Sequence, residues 1–192
     1  MKAVRFLILA SAALFVAACL PVTSKNPIGT TVGLHADPAL IGLWKGHGDD
    51  PDGKDGYFAF IDGGDSLTVL MFQPEEADWN SFVVRTATLG SNRLMNVVAQ
   101  STNGQPANDE GLKGNIPTLY RIEGGKLTLA LLDDKAVAQA IKDGKLQGTV
   151  EPGENGDVHI TSDPAALDAF FATAAGAGLF REKLIALSRV TP

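Results

Sequence analysis

Cysteine is nearly absent from this chain, with Cys19 the single example among 192 residues. A lone thiol excludes an internal disulfide framework, and for a protein sent to an oxidising compartment it also removes the hazard of mispairing. Basic residues are outnumbered: 16 Lys and Arg face 22 Asp and Glu, for a formal charge of -6. With no basic cluster to neutralise a phosphate backbone, nucleic acid is excluded as a partner. No internal repeat of fixed period occurs, which argues against propellers and solenoids. What the chain does have is 45% apolar and 20% charged residues, together with 21 Gly and 10 Pro spread along its length. That composition fits one globular domain built from many short elements joined by turns, and the expected class is mainly β.

Residues 1–18 contain Lys2 and Arg5, then an apolar stretch of 13 residues from Phe6 to Ala18 broken only by Ser11. This is shorter than the roughly 20 residues a bilayer-spanning helix needs, and it has the form of a cleavable secretory segment. The sequence Val16-Ala17-Ala18-Cys19 that follows resembles the lipobox of bacterial lipoproteins, with Val16 where Leu is commoner. The resemblance implies a diacylglyceryl group on the Cys19 thiol, cleavage between Ala18 and Cys19, and a fatty acid such as palmitate on the new amino group. One acyl chain binds membranes marginally, whereas two or more anchor stably. The expected partner is therefore a lipid bilayer. By analogy with Gram-negative lipoproteins, Leu20 in place of Asp implies the outer membrane, with the domain facing the periplasm.

The expected organisation is a signal peptide over 1–18, a lipidated Cys with a flexible tether over 19–36, and a single β-rich domain over 37–192. The tether expectation rests on residues 20–36, where Pro, Gly, Ser and Thr mix without a sustained period. Asp37 followed by Pro38 predicts a capped helical turn. Beyond it, strands are predicted over Ile41–Gly46, Gly56–Ile61, Ser66–Phe72, Ser81–Thr88, Arg93–Ala99, Thr118–Ile122, Lys126–Leu132, Leu146–Val150, Asp157–Thr161 and Lys183–Val190. Asp62-Gly63-Gly64-Asp65, Gly90-Ser91-Asn92, Glu123-Gly124-Gly125 and Glu154-Asn155-Gly156 supply reversal signals between strands. Leu127, Leu129 and Leu131 share one face. Tyr57 to Ile61 is apolar on both faces, and this predicts a central or covered strand. Residues 100–115 have no apolar pattern and read as a long polar loop. One helix is expected after Asp133 and Asp134, through Ala136, Val137, Ala140 and Ile141 to a stop at Gly144. A second follows Asp163 and Pro164, with Leu167, Phe170, Phe171 and Ala174 at helical spacing. The whole predicts an antiparallel meander that closes into a barrel or bends strongly, with one or two short amphipathic helices.

Ile41-Gly42-Leu43-Trp44-Lys45-Gly46 resembles the Gly-x-Trp opening of the calycins, the lipocalin and fatty-acid-binding group. In that group the Trp of the first strand packs against a basic residue from the last and plugs one end of a closed barrel. The resemblance implies that Gly42, Trp44 and Arg189 form such a structural plug, and a helix ahead of the last strand departs from the simplest topology. More broadly, the layout resembles small bacterial envelope lipoproteins with a β-rich domain.

Reactive groups are sparse. His35, His47 and His159 show no metal-ligand spacing, so neither a metal site nor a cofactor is expected from them. Asp49, Asp50, Asp52 and Asp55 cluster between two strands. There Lys54 breaks the calcium-loop pattern, and Asp-Gly and Pro-Asp are ordinary turn chemistry. Glu75, Glu76 and Asp78 precede Trp79, yet sequence neighbours rarely flank a scissile bond from opposite sides. No Gly-x-Ser-x-Gly elbow occurs. Gly176-Ala177-Gly178 lacks the third Gly and the preceding strand of a dinucleotide loop and reads as a helix stop. The expected function is that of a lipid-anchored envelope protein, a non-catalytic binding or structural module whose partner is a small apolar ligand or another envelope protein. The alternatives are a calycin-like carrier of a small apolar ligand and an envelope hydrolase using His47 or the 49–55 carboxylates as bases.

Overall fold

The computed structural model describes residues 21–47, 54–107, 113–151, 157–181 and 185–191. The residues expected to form a signal peptide and lipobox, including Ala18 and Cys19, lie outside these, as do Asp49, Asp50 and Asp52. In chain order the described strands are β1 (Thr23–Ser24), β2 (Gly42–His47), β3 (Asp55–Asp62), β4 (Leu67–Phe72), β5 (Trp79–Leu89), β6 (Asn92–Thr102), β7 (Gln105–Pro106), β8 (Ile116–Glu123), β9 (Lys126–Leu131), β10 (Gly148–Val150), β11 (Val158–Ile160) and β12 (Ile185–Arg189). The helices are α1 (Asp134–Lys142), α2 (Pro164–Phe171) and α3 (Ala174–Ala177), with a 3₁₀ turn over Pro38–Leu40 ahead of β2. Among the described residues no helix is long and apolar enough to cross a membrane.

Eight antiparallel strands close into a barrel in the order β2, β3, β4, β5, β6, β8, β9, β12, with β12 returning to β2. Each strand pairs with its predecessor in this ring, as the predicted meander requires. At the β8–β9 hairpin both Gly124 and Gly125 hold positive φ, the conformation that two-residue hairpin loops demand. Register carries one face of every strand inward: Trp44 opposite Phe58, Phe58 opposite Met71, Val84 opposite Val97, Tyr120 opposite Leu129, and Leu187 opposite Leu127. Trp44, Phe60, Leu67, Val69, Met95, Leu127 and Leu187 are buried in this lumen. Strand β3 sits between β2 and β4, but its outer face is uncovered: Tyr57 stacks on Phe72 at 5.6 Å and Ile61 stands exposed.

A second apolar core lies outside the barrel wall. The three helices and a small sheet in the order β1, β11, β10 pack Val22, Ile28, Val137, Leu167, Phe171 and Phe180 against the outward-facing Leu94 and Ala130. Two predicted strands, Leu146–Val150 and Asp157–Thr161, thus form β10 and β11 of this flank and take no part in the barrel. Helices α1 and α2 begin at Asp133 and Asp163, whose carboxylates accept the Ala136 and Ala166 amides. The segment from Gly176 does end a helix, since α3 stops at Ala177 with Gly178 as its C-cap. Gly176 itself lies buried in α3, where a Cβ would come within 2.4 Å of the Phe170 carbonyl oxygen.

Two expectations are corrected. The polar stretch 100–115 is partly strand, because β6 runs on to Thr102 and β7 folds back on it over Gln105–Pro106. Polar side chains suffice there, since ladder bonds use only the backbone. Residues 21–36 are no flexible tether, and the folded body does not begin at Asp37. Val22 and Ile28 are buried, Ser24 exchanges backbone hydrogen bonds with Asn115 at 2.7 and 2.8 Å, and Thr23–Ser24 pairs in parallel with β11. From there the segment runs down the wall as a strap. Asn96 bonds both the amide and the carbonyl of Ile28, at 2.7 and 2.8 Å. Asp168 of α2 accepts the Gly29 amide, the Thr31 amide at 2.8 Å and the Thr31 hydroxyl at 2.7 Å. His35 then bridges Thr86 of β5.

Candidate functional site

The barrel has two unlike ends. One is sealed by the chain that leads into β2. The indole of Trp44 is fully buried and donates from Nε1 to the Leu40 carbonyl at 2.7 Å. The Arg189 guanidinium lies 4.2 Å from the Trp44 ring centroid. Its two terminal nitrogens donate to Ile41 O at 2.7 Å and Ala39 O at 2.6 Å. Gly42 has φ of +131° and faces Arg189, so that a Cβ there would meet Nη1 at 2.7 Å. Gly42, Trp44 and Arg189 therefore stand together, and the 3₁₀ turn is held by Trp44 through Leu40 and by Arg189 through Ala39.

A polar cluster that sequence reasoning missed completes the seal. Asp37 caps the 3₁₀ turn through the Ala39 amide at 2.9 Å, accepts the Tyr120 hydroxyl at 2.6 Å, and pairs with Arg93, whose guanidinium lies 4.9 Å from the Tyr120 ring centroid. Burial alone would raise the Asp37 carboxyl. The Tyr120 hydroxyl, the Ala39 amide and the Arg93 charge outweigh it and hold the pKa below the ordinary aspartate value. Burial, reinforced by the neighbouring Asp37 charge, pushes the Tyr120 phenol above its usual range, so it remains a proton donor. Only the capping role of Asp37 was visible in the sequence. Arg93 and Tyr120 lie 56 and 83 residues further along.

At the opposite end the inward residues are apolar but incompletely covered. Met71, Phe82, Val97 and Ile185 project into the lumen by register, pack on its buried core, and stay half-buried. Gly46 and Gly56, paired across β2 and β3 on the inward face, contribute no side chain. Asn80 and Thr102 hydrogen-bond at 2.7 Å on the rim. Half-covered apolar side chains thus lie beneath a partly polar edge.

Other candidate residues lie apart from both ends or do other work. His47 pairs with Asp55 at 3.0 Å, and Asp55 also pairs with Lys45 at 2.6 Å, all on the outer barrel surface. The two partners hold the Asp55 carboxyl below its ordinary pKa, as expected for a surface ion pair. His159 shares a hydrogen bond of 2.8 Å with Thr23 inside the flank sheet, and His35 belongs to the strap. Glu76 pairs with Lys54 at 3.3 Å. Among the described residues no group of three or more His, Cys, Asp or Glu is placed to hold a metal ion. No family model matches the chain, and neither a curated protein nor a solved structure matches it significantly.

Proposed function

We propose that this chain is a non-catalytic binding module of the bacterial envelope, moored to the outer membrane through acyl groups on Cys19, that holds a small apolar ligand in the open end of a calycin-like barrel. The observation that carries the reading is the contrast between the ends. At the plugged end Leu40 and Trp44 are fully buried and Ile122 is half-buried, whereas Met71, Phe82, Val97 and Ile185 are all half-covered at the other. Leaving Met71, Phe82, Val97 and Ile185 half-covered forgoes hydrophobic stabilisation that a fully filled barrel would keep. A bound alkyl or aromatic group would restore that burial. The plug supports calycin kinship, because the first and last strands meet through the Trp44–Arg189 stack and the 3₁₀ turn hangs from both. The lipobox supports the anchor.

A Cys19→Ser chain, soluble for lack of acyl groups, tests the binding. Titrated with a fluorescent fatty acid, it is expected to give a saturable signal. Ala99→Phe, which adds an inward ring opposite Phe82 in the open end, is expected to weaken binding by about tenfold, or about 1.4 kcal/mol, with the thermal midpoint little changed. A linear, non-saturating response from the unmodified barrel would remove the ligand from the reading.

A further inference from the structure

We infer that the flank formed by β1, β11 and β10 faces the headgroup surface of the bilayer that anchors Cys19 and is held within about 11 Å of it. The inference rests on the acylation proposed above and adds to it a defined membrane-facing surface.

Its basis is the length of chain left over. The strap is locked from Val22 onward: Val22 is buried, Thr23 and Ser24 are paired with His159 and Ile160, and the Lys25 amide bonds the Ile160 carbonyl at 2.8 Å. Three peptide steps separate Cys19 from Val22, and fully extended they reach about 11 Å. A diacylglyceryl group on Cys19 holds that residue at the interface, so the flank cannot retreat further than this. Thr149 of β10 lies two ladder spacings from Thr23, roughly 10 Å away, and is exposed. Val150, next along the free edge of the same sheet, exposes an apolar side chain suited to an interface. The far side of the molecule is equally well defined. The flank is joined to the barrel where Ser24 meets Asn115, just ahead of β8, and β3 lies four strands from β8 in either direction around the ring. The outer wall at β3, with the β3–β4 turn at Asp65, therefore points away from the membrane.

Charge plays little part. Without Lys2 and Arg5 the chain keeps 14 basic residues against 22 acidic ones, so anionic headgroups repel it on balance. Contour length alone brings the flank down. The arrangement is accordingly expected to persist at high salt, unlike one held by a polybasic patch.

In the acylated protein Cys19 has no free thiol, so a single introduced cysteine can be labelled. Thr149→Cys and Asp65→Cys, each carrying a fluorophore, are compared in phosphatidylethanolamine–phosphatidylglycerol vesicles that contain a headgroup-nitroxide lipid. Quenching at 149 is expected to exceed that at 65 several-fold, in low and high salt alike. A Gly/Ser insert of about 20 residues after Leu20, with an r.m.s. span of about 25 Å, is expected to abolish the difference while co-sedimentation with vesicles persists. Equal quenching at the two sites in a chain of verified acylated mass overturns this inference alone. A chain recovered without the acyl mass and free of the vesicles overturns the anchor and the inference together.

Discussion

Gly42 and Arg189 occupy one small volume at the sealed end, and each explains the other. The guanidinium passes over the indole and reaches two carbonyls at the preceding turn, and at φ of +131° any Cβ on residue 42 would be strained and would press on Nη1 besides. Replacing Arg189 with Ala removes a stacking contact worth roughly 0.5–2 kcal/mol and two charge-assisted hydrogen bonds to Ala39 and Ile41. A loss of about 2–4 kcal/mol is expected in urea denaturation, with Arg189→Lys recovering only part of it because an ammonium cannot fork between two carbonyls. The neighbouring Asp37 predicts a pH dependence. Its folded-state pKa is lowered, so its contribution is complete above the unfolded value near 3.9. That contribution is lost as pH falls through the folded-state value. Asp37→Asn is therefore expected to be less stable than the parent at pH 7, and the gap is expected to narrow once the pH drops below about 4. Parallel denaturation curves at the two pH values decide it, and a gap that is constant or widens in acid rules out the carboxylate as its source.

The strap over residues 21–36 is the element whose role could not be anticipated from its composition. It has no period because it is neither helix nor regular strand over most of its length. Two apolar side chains anchor it, and its polar backbone is satisfied by Asn96 and Asp168, which come from β6 and α2. A chain beginning at Pro21 is expected to keep full stability. A chain beginning at His35 loses the burial of Val22 and Ile28, about 1.5–3 kcal/mol each, and leaves the Asp168 carboxylate without its three donors. The combined loss is expected to exceed about 4 kcal/mol and to lower the urea midpoint clearly. Coincident midpoints would return the segment to the status of a tether. The helices behave differently. Their starts at Asp133 and Asp163 were plain from the cap residues, whereas α3 was hidden, because its requirement for Gly176 comes from close approach to the end of α2.

Across the whole molecule, local chemistry and long-range contacts divide the explanation between them. The meander was legible because turn residues and two-residue alternation act over a few positions. The same holds for both longer helices, the Asp37 turn and the Gly-x-Trp opening of β2. Nothing equally local could tell that Leu146–Val150 and Asp157–Thr161 leave the barrel, since a strand's alternation says that one face is buried and not against what. Here that face meets α1, α2 and the strap. Nor could it foretell the grip of Asp168 on residues 137 and 139 positions away, although the Gly-x-Trp resemblance had already implied that the last strand meets the first. The contrast between a plugged and a half-covered end had the same origin: side chains on eight strands meet only when the ring closes. Thus the barrel strands, the two longer helices and the acidic charge follow from neighbours along the chain, whose chemistry acts at short range. Tertiary structure alone decided which apolar faces share the lumen, which build the flank, and that the chain is gripped from Val22 onward, because burial depends on what arrives from far away in sequence.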